Sequence, residues 1–121
     1  MLKQVPKTAS GFETNFKALK KSPSDQYQLL KNIPLKTIET YYKSTEIQTE
    51  VFNGILNVLK SEASDDLTWK GDLLLTLSKA DSFDMTLMMV EDKENEIIQS
   101  IISDLKSQNT SLADKLDKAY A

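Results

Sequence analysis

The sequence contains no cysteine and no histidine, and every one of its 15 basic side chains is a lysine. The absence of cysteine excludes disulfides, thiolate metal sites and thiol nucleophiles, and it fits a reducing compartment. The absence of histidine removes the commonest metal ligand and the commonest general acid or base near neutral pH. Arginine supplies the bidentate contact that reads phosphate and guanine, so its absence argues against nucleic-acid recognition.

Long apolar runs and chain-breaking residues are also scarce. No apolar run approaches the roughly 20 residues of a membrane span. The first ten residues are too short, and too polar in the middle, to form a signal peptide. The 121 residues include three glycines and three prolines, with 40% hydrophobic and 27% charged residues and a net charge of −3. These values predict one mildly acidic, soluble, intracellular domain without membrane contact.

Apolar side chains recur at the helical period along most of the chain, whereas strand signals are rare. We therefore predict an all-α fold, a compact bundle of about seven to eight short helices in a single domain. Residues 1–10 are expected to form a flexible N-terminal tail and residues 11–121 the helical domain. The predicted helices cover residues 11–21, 23–33, 34–43, 46–60, 66–79, 82–90 and 91–107, followed by a short last helix through Leu112, Leu116 and Tyr120.

Local signals refine three of these helix starts. Ser10 with Glu13, and Thr45 with Gln48, have the spacing of a capping box, in which paired side chains satisfy backbone N–H groups at a helix start. They predict that helices begin immediately after the first member of each pair. Gly71 lies near the start of the fifth predicted helix, where the glycine predicts fraying or a bend.

The inner faces of these helices predict the core. Side chains spaced at i, i+3, i+4 and i+7 share one face of a helix, and we expect the large apolar ones among them to be buried. The predicted structural core consists of Phe12, Phe16, Leu30, Ile33, Val51, Ile55, Leu77, Phe83 and Leu87. The other aromatic residues predicted on the same faces are Tyr27, Tyr41, Tyr42 and Phe52.

The segment SFDMTLMMVE, residues 82–91, is denser in apolar side chains than its polar surroundings. As a helix it has one apolar stripe at i, i+4 and i+7, formed by Phe83, Leu87 and Val90. Its three methionines lie beside or behind that stripe: Met85, Met88 and Met89. Methionine fills irregular gaps in cores and also serves on adaptable binding surfaces. The residues alone therefore leave two interpretations open, a helix buried nearly all round and a helix with a second face for another molecule.

Adjacent acidic residues are the remaining candidates for chemistry. The acids in question are Asp65, Asp66, Glu91, Asp92, Glu94 and Glu96. A catalytic pair of carboxylates needs burial to separate its two pKa values, whereas carboxylates at helix starts favour the helix dipole wherever they occur. They also lack the alternating oxygens and turn glycine of a calcium loop. We interpret these residues as helix-capping acids, and we expect no catalytic residue, no metal site and no cofactor.

Three segments occur in a recognisable order: GFETNFKALKKSPSDQYQLLKNIP, TEVFNGILNVLK and LLLTLSKADSFDMTLMMVEDKE. Together they resemble the C-terminal domain of RNA polymerase II-associated protein 3, a domain shared with sperm-associated antigen 1 and related chaperone adaptors. The resemblance covers about residues 11–107. Each segment is a weak signal by itself, and the specificity comes from their order and spacing.

The resemblance implies a non-enzymatic adaptor domain that docks on the AAA+ ATPases RuvB-like 1 and RuvB-like 2, mainly the second. It further implies a place in a heat-shock co-chaperone complex that assembles RNA polymerases, small nucleolar ribonucleoproteins (snoRNPs) and large kinases. In full-length relatives, upstream tetratricopeptide repeats hold the heat-shock chaperone, and none of those repeats lies in this chain. The expected location is the cytoplasm, with the nucleus as a second one.

The partner face of that family corresponds to residues 82–90 of this sequence. Residues 83–85 match the family motif directly, but Ser82 stands where the family has arginine and Met89 where it commonly has phenylalanine. These departures remove an ionic anchor and soften an apolar one, which bears on affinity and partner choice. The resemblance favours the two-faced helix, with the stripe of Phe83, Leu87 and Val90 inward and with Met85 and Met89 outward. The predicted partner-binding residues are Ser82, Met85, Met88, Met89 and Asp92.

A second function of a different class also fits the composition. A helical bundle can carry a small apolar ligand in an internal pocket, and here Trp69 and the methionines are the candidates for its lining. A dry internal cavity above roughly 300 Å³ would support this alternative. A closed core with exposed methionines would oppose it.

Overall fold

The computed structural model describes residues 6–43, 45–61 and 67–120, and within these ranges it contains eight α-helices and no strand. The helices are α1 (Ala9–Ala18), α2 (Pro23–Asn32), α3 (Leu35–Tyr41), α4 (Thr49–Ser61), α5 (Leu67–Leu77), α6 (Phe83–Met88), α7 (Asp92–Lys106) and α8 (Thr110–Ala119). The prediction of an all-α bundle of seven to eight short helices is confirmed. No helix in the described ranges combines the length and the apolar character that crossing a membrane requires.

Helix α4 contributes more buried side chains than a short helix can, because its apolar face continues along its 13 residues. It packs against α1, α2 and α7, while α5 packs against α3, α7 and α8, and α7 runs along α8. The side chains that α4 buries are Val51, Phe52, Ile55, Leu56, Val58 and Leu59. This arrangement surrounds one continuous hydrophobic core with the polar faces of the helices.

The residues predicted for the core lie in the interior, with one exception. Eight of them are 7% exposed or less: Phe12, Phe16, Leu30, Ile33, Val51, Ile55, Leu77 and Phe83. Leu87 is half-buried and packs against the edge of the core. The aromatic residues predicted on the same faces are also buried: Tyr27, Tyr41, Tyr42 and Phe52.

The first helix begins earlier than its sequence signal predicted. Helix α1 starts at Ala9, and the Oγ1 of Thr8 accepts a hydrogen bond from the Gly11 N–H at 3.0 Å. The prediction of Ser10 as the cap is therefore wrong, and α1 occupies the last two residues of the predicted tail. Residues 1–5 of that tail lie outside the described residues. Pro6 is already attached to the bundle, since its carbonyl accepts a hydrogen bond from the Tyr41 hydroxyl.

The second predicted capping box, at Thr45 and Gln48, does not form either, because α4 begins only after Gln48. The Gln48 side chain instead accepts a hydrogen bond from the Lys17 ammonium at 2.5 Å, and its backbone N–H donates to the Glu13 carboxylate at 3.5 Å. Glu13 is buried and also accepts a hydrogen bond from the Tyr42 hydroxyl at 2.8 Å. In both predicted boxes, the residue three positions after the expected cap makes a tertiary contact instead: Glu13 with Tyr42, and Gln48 with Lys17.

Gly71 has a packing role that the sequence did not predict. Helix α5 runs through it without a break, so the expected fraying is wrong for the described part of this helix, and the expected bend stays a prediction. A Cβ atom at this position would lie 2.6 Å from Cδ1 of Leu105 and 2.8 Å from Cδ2 of Leu112. The missing side chain therefore lets α7 and α8 approach α5 closely.

Candidate protein-interaction surface

Helix α6 is attached to the bundle by two inward side chains. The Phe83 ring makes edge-to-face contacts with Phe52, at 5.7 Å between centroids, and with Tyr120, at 5.2 Å. One turn later, the buried Thr86 hydroxyl donates a hydrogen bond to the Ile47 carbonyl at 3.3 Å. Because both contacts lie on one side of a six-residue helix, they determine which face of α6 meets the core and which meets solvent.

The chain enters α6 through an unusual backbone turn. The Asp81 N–H donates a hydrogen bond to the Tyr42 carbonyl at 3.0 Å, and Ser82 adopts a left-handed conformation with φ 54° and ψ 33°. A residue with a Cβ adopts this conformation only at a cost, about 1–2 kcal/mol. The Ser82 side chain makes no capping hydrogen bond. Ser82 therefore acts through its backbone geometry, which turns the chain so that Phe83 enters the core.

The methionines of this segment lie on the outside. Met85 is 58% exposed, Met88 79% and Met89 64%, and they are the large hydrophobic residues that stand exposed in the described ranges. Their spacing of i, i+3 and i+4 places them side by side, with Met85 and Met88 in α6 and Met89 at its C-cap. We call these three residues the methionine patch. Their outward position is the one that the two-faced interpretation of the helix requires.

Acidic residues flank the methionine patch on both sides in sequence. Between Lys79 and Lys93 the chain carries four acids and no cation, and all four acids are exposed: Asp81, Asp84, Glu91 and Asp92. We call these four residues the acidic rim. The predicted partner-binding residues Ser82 and Asp92 are exposed in the same segment. The surface thus combines an apolar centre with a negative border, which complements an apolar recess edged by basic groups.

The inner stripe of α6 differs from the predicted one. Phe83 is buried as expected, but Leu87 and Val90 are only half-buried, whereas the polar Thr86 is 4% exposed. The helix ends at Met88, so Val90 no longer follows the helical period. Sequence reasoning missed Thr86 because a hydroxyl is not counted as a core group. Its i+3 spacing from Phe83 was the available signal.

Glu94 is the acid of this region with a defined structural partner. Its side chain is buried between α4 and α7, and Oε2 accepts a hydrogen bond from the Asn57 amide at 3.0 Å. Asp92 and Glu94 both lie in the first turn of α7, where the helix dipole favours negative charge. Asp65 and Asp66 lie outside the described residues. In the described ranges, no group of three acidic side chains is arranged to hold a metal ion.

Two buried tyrosines support the framework behind the patch. Burial, together with the hydrogen-bonded Glu13 carboxylate, raises the pKa of Tyr42 far above its ordinary value. Burial also raises the pKa of Tyr120, whose hydroxyl donates a hydrogen bond to the Leu74 carbonyl at 2.5 Å. Both phenols are therefore neutral at physiological pH and act as hydrogen-bond donors. Tyr120 at the same time forms one wall of the Phe83 contact.

The small-ligand alternative lacks its predicted lining. Trp69 is half-buried, with its ring against the edge of Tyr27 at 5.5 Å and the Lys31 ammonium 4.6 Å from its centroid. Two grooves in the described part of the chain have volumes of about 640 and 840 Å³, and neither is lined by Trp69 or by a methionine. The exposed methionine patch therefore cannot line an internal apolar pocket.

Comparison with known proteins gives a family and a relative that match most of this chain. A family model described as "Potential Monad-binding region of RPAP3" matches residues 5–95. RNA polymerase II-associated protein 3 of Gallus gallus is 29% identical over 126 residues, which are 97% of this chain and 18% of the chicken protein. The chain thus spans less than a fifth of that relative's length.

The fold is shared with a solved structure, the NMR structure of the C-terminal domain of the human RPAP3 protein. The two superpose with a TM-score of 0.86 and are 26% identical, and the match covers 100% of this chain and 92% of the human domain. The family model, the chicken relative and the solved fold all agree with the resemblance seen in the sequence. Because the family model matches well over half of its residues, the chain belongs to the RPAP3 C-terminal domain family.

Proposed function

We propose that this domain is a non-enzymatic adaptor that docks on the AAA+ ATPases RuvB-like 1 and RuvB-like 2, mainly the second. The docking element is α6, and the contact is the methionine patch. In a longer protein, the domain would connect these ATPases to a heat-shock co-chaperone complex in the cytoplasm and nucleus. Family membership supports an adaptor role, and the single observation that carries the proposed contact is the exposure of three neighbouring methionines.

The methionine patch has the physical properties of a binding surface. Full burial of a methionine side chain gains about 1.5–3 kcal/mol, and all three side chains are more than half exposed in the free domain. Most of that gain is therefore still available to a partner. Unbranched thioether side chains also adjust to an irregular apolar recess more easily than branched or aromatic ones.

The acidic rim adds a requirement on the partner. Four exposed carboxylates with no cation among them repel an acidic surface and attract a basic one, mainly by raising the association rate. The proposed docking site on the ATPase is thus an apolar recess with lysine or arginine at its border. Association should slow as salt concentration rises, because exposed charges are screened over about 10 Å at 0.1 M salt.

The decisive variant is Met85→Glu/Met89→Glu. It places two charges in an apolar contact, where unpaired charge is strongly unfavourable, so we expect affinity for the purified RuvB-like 1/RuvB-like 2 ring to fall by at least about 100-fold. Biolayer interferometry measures the loss. The matched control is Gln99→Glu/Ser103→Glu, which adds the same two charges at the same spacing on the exposed face of α7. The control should bind as the parent does.

A thermal melt separates loss of contact from loss of fold. The Met85→Glu/Met89→Glu variant should unfold within about 0.5 kcal/mol of the parent, since exposed side chains have few contacts to lose. A collapsed melt would mean that the methionines stabilise the core. A normal melt with unchanged affinity would place the ATPase contact on another face of the domain.

The matching family is described as a potential Monad-binding region, which gives Monad as a second candidate partner. Binding to purified Monad should be measured under identical conditions for the parent, the Met85→Glu/Met89→Glu variant and the Gln99→Glu/Ser103→Glu control. If Monad binds the parent and the ring does not, the adaptor role stands with a different partner. If both bind and both respond to the methionine substitutions, the two partners compete for one surface.

A further inference from the structure

A groove runs along α4 on a face that the methionine patch does not include. It lies between α4, the corner that joins α1 to α2, and the first turn of α7, and its volume is about 640 Å³. No methionine and no member of the acidic rim lines it. The residues that give the groove its charge are Lys17, Lys20, Lys60, Lys93 and Glu50. We call this feature the basic groove.

The charge of the basic groove opposes that of the whole chain. Four lysines and one glutamate line it, whereas the 121-residue chain has a net charge of −3. Lys17 is engaged, with its ammonium 2.5 Å from the Gln48 side chain and 3.9 Å from the Glu50 carboxylate. Lys20, Lys60 and Lys93 are exposed and form no ion pair within the described part of the chain. Three ammonium groups are therefore available to an anionic ligand.

The floor of the basic groove is apolar. It is formed by Gly54 and by the side chains of Phe16, Val51 and Val58. A Cβ atom on Gly54 would lie 2.9 Å from the Phe16 ring, so the glycine lets α1 pack closely on α4 and leaves the groove open above it. The α4 wall from Glu50 to Ser61 is about 16 Å long at 1.5 Å per residue. That length matches about five residues of an extended peptide.

We propose that the basic groove binds a short, extended, acidic peptide segment of a partner protein, with an apolar side chain seated over Gly54. Carboxylates on either side of that anchor would meet Lys20, Lys60 and Lys93. A concave site of this length admits a short extended peptide, whereas a flat lipid surface cannot reach the floor of the groove. The acidic remainder of the domain and the absence of arginine disfavour a nucleic-acid strand.

The test uses the full chain and a fluorescein-labelled peptide of sequence DEDLDED. Fluorescence anisotropy measures binding, and amide shifts in the ¹⁵N-labelled protein locate it, with the largest changes expected at Gly54, Lys20 and Lys93. Lys20→Glu/Lys93→Glu should weaken binding by at least about tenfold, because it converts two attractions into repulsions. Lys115→Glu/Lys118→Glu, an equal charge change on the exposed face of α8, should leave binding within about twofold of the parent.

Four further measurements distinguish the outcomes. The neutral peptide NQNLNQN should not bind, and 0.5 M salt should abolish binding of DEDLDED if the lysines recognise its carboxylates. If the charge reversal disturbs the thermal melt, Lys20→Gln/Lys93→Gln replaces it and should still weaken binding. The Met85→Glu/Met89→Glu variant should keep the parent affinity, so failure of the proposed ATPase contact would not affect this result.

The proposal is overturned if the charge-reversed variant binds DEDLDED as the parent does, or if the shifted amides lie away from α4. It is also overturned if phosphatidylserine vesicles or a single-stranded oligonucleotide bind more tightly than the peptide and depend on the same two lysines. Those results would assign the groove to a membrane surface or to nucleic acid, respectively.

Discussion

Helices α4 and α6 are both rich in apolar side chains, but they use them in opposite ways. Helix α4 has 13 residues and buries six side chains, while α6 has six residues, buries two and carries two of the three exposed methionines, with the third at its C-cap. Helix α4 has neighbours on several sides, α1, α2 and α7. Helix α6 meets the bundle along one side only. An apolar run thus predicts contact, but the contact can be within the domain or with another molecule.

The largest expected effect tests the inward side of α6. Phe83→Ala removes a ring that contacts Phe52 and Tyr120, and it should destabilise the domain by about 3–5 kcal/mol. Met88→Ala, on the outward side of the same helix, should change stability by less than about 0.5 kcal/mol. Urea unfolding followed by circular dichroism measures both. Equal effects would remove the distinction between the two faces of α6.

The corresponding test in α4 is Ile55→Ala. Ile55 is fully buried at the centre of the helix, so the cavity should cost about 2–5 kcal/mol. Glu50→Ala, at an exposed position of the same helix, is the control and should stay within about 0.5 kcal/mol of the parent. A loss below 0.5 kcal/mol for Ile55→Ala would contradict the burial of Ile55 in the core.

Alkaline pH should loosen the attachment of α6 through Tyr120. Burial raises the pKa of this phenol in the folded state above the unfolded value of about 10. As the pH rises, the unfolded chain therefore releases this proton before the folded chain does. The contribution of protonated Tyr120 to the free energy of unfolding is complete below pH 10 and declines as the pH rises above it. Each further pH unit should cost about 1.4 kcal/mol. Unfolding curves from pH 8 to 11.5 measure the slope, which should be shallower in Tyr120→Phe than in the parent.

The smallest effect concerns the hydrogen bond between α6 and the segment before α4. Thr86→Val keeps the shape of the side chain but leaves the buried Ile47 carbonyl without this donor, at a cost of about 1 kcal/mol. Thr14→Val, at an exposed position of α1, is the matched control and should have little effect. If the two substitutions have equal effects, the Thr86 hydroxyl does not contribute to holding α6.

Much of the architecture was predictable from local spacing. The helical period of apolar residues predicted the all-α fold, and the residues at its inner positions lie in the interior, from Phe12 in α1 to Leu77 in α5. Pro23 begins α2 as its fixed φ angle predicts. Periodicity succeeds here because a helix places every third or fourth side chain on one face regardless of what packs against it.

The candidate surface was only partly predictable. The spacing of the segment from Ser82 to Glu91 left the methionines between core and surface, and their assignment to a partner face came from the family resemblance. The sequence did not predict the buried Thr86 or the left-handed backbone of Ser82. It also did not predict the basic groove, because its lysines come from α1, α4 and α7 and are far apart in the chain.

By itself, the sequence determined which segments are helical, which side chains are apolar enough to form a core, and which chemistries are closed to a chain without cysteine, histidine or arginine. Only the tertiary structure decided that Glu13 accepts a hydrogen bond from Tyr42 instead of capping its own helix, and that Gly71 lets Leu105 and Leu112 pack closely on α5. It also decided that the methionines face outward. Local spacing describes one helix at a time, whereas burial depends on which other helices lie opposite each face.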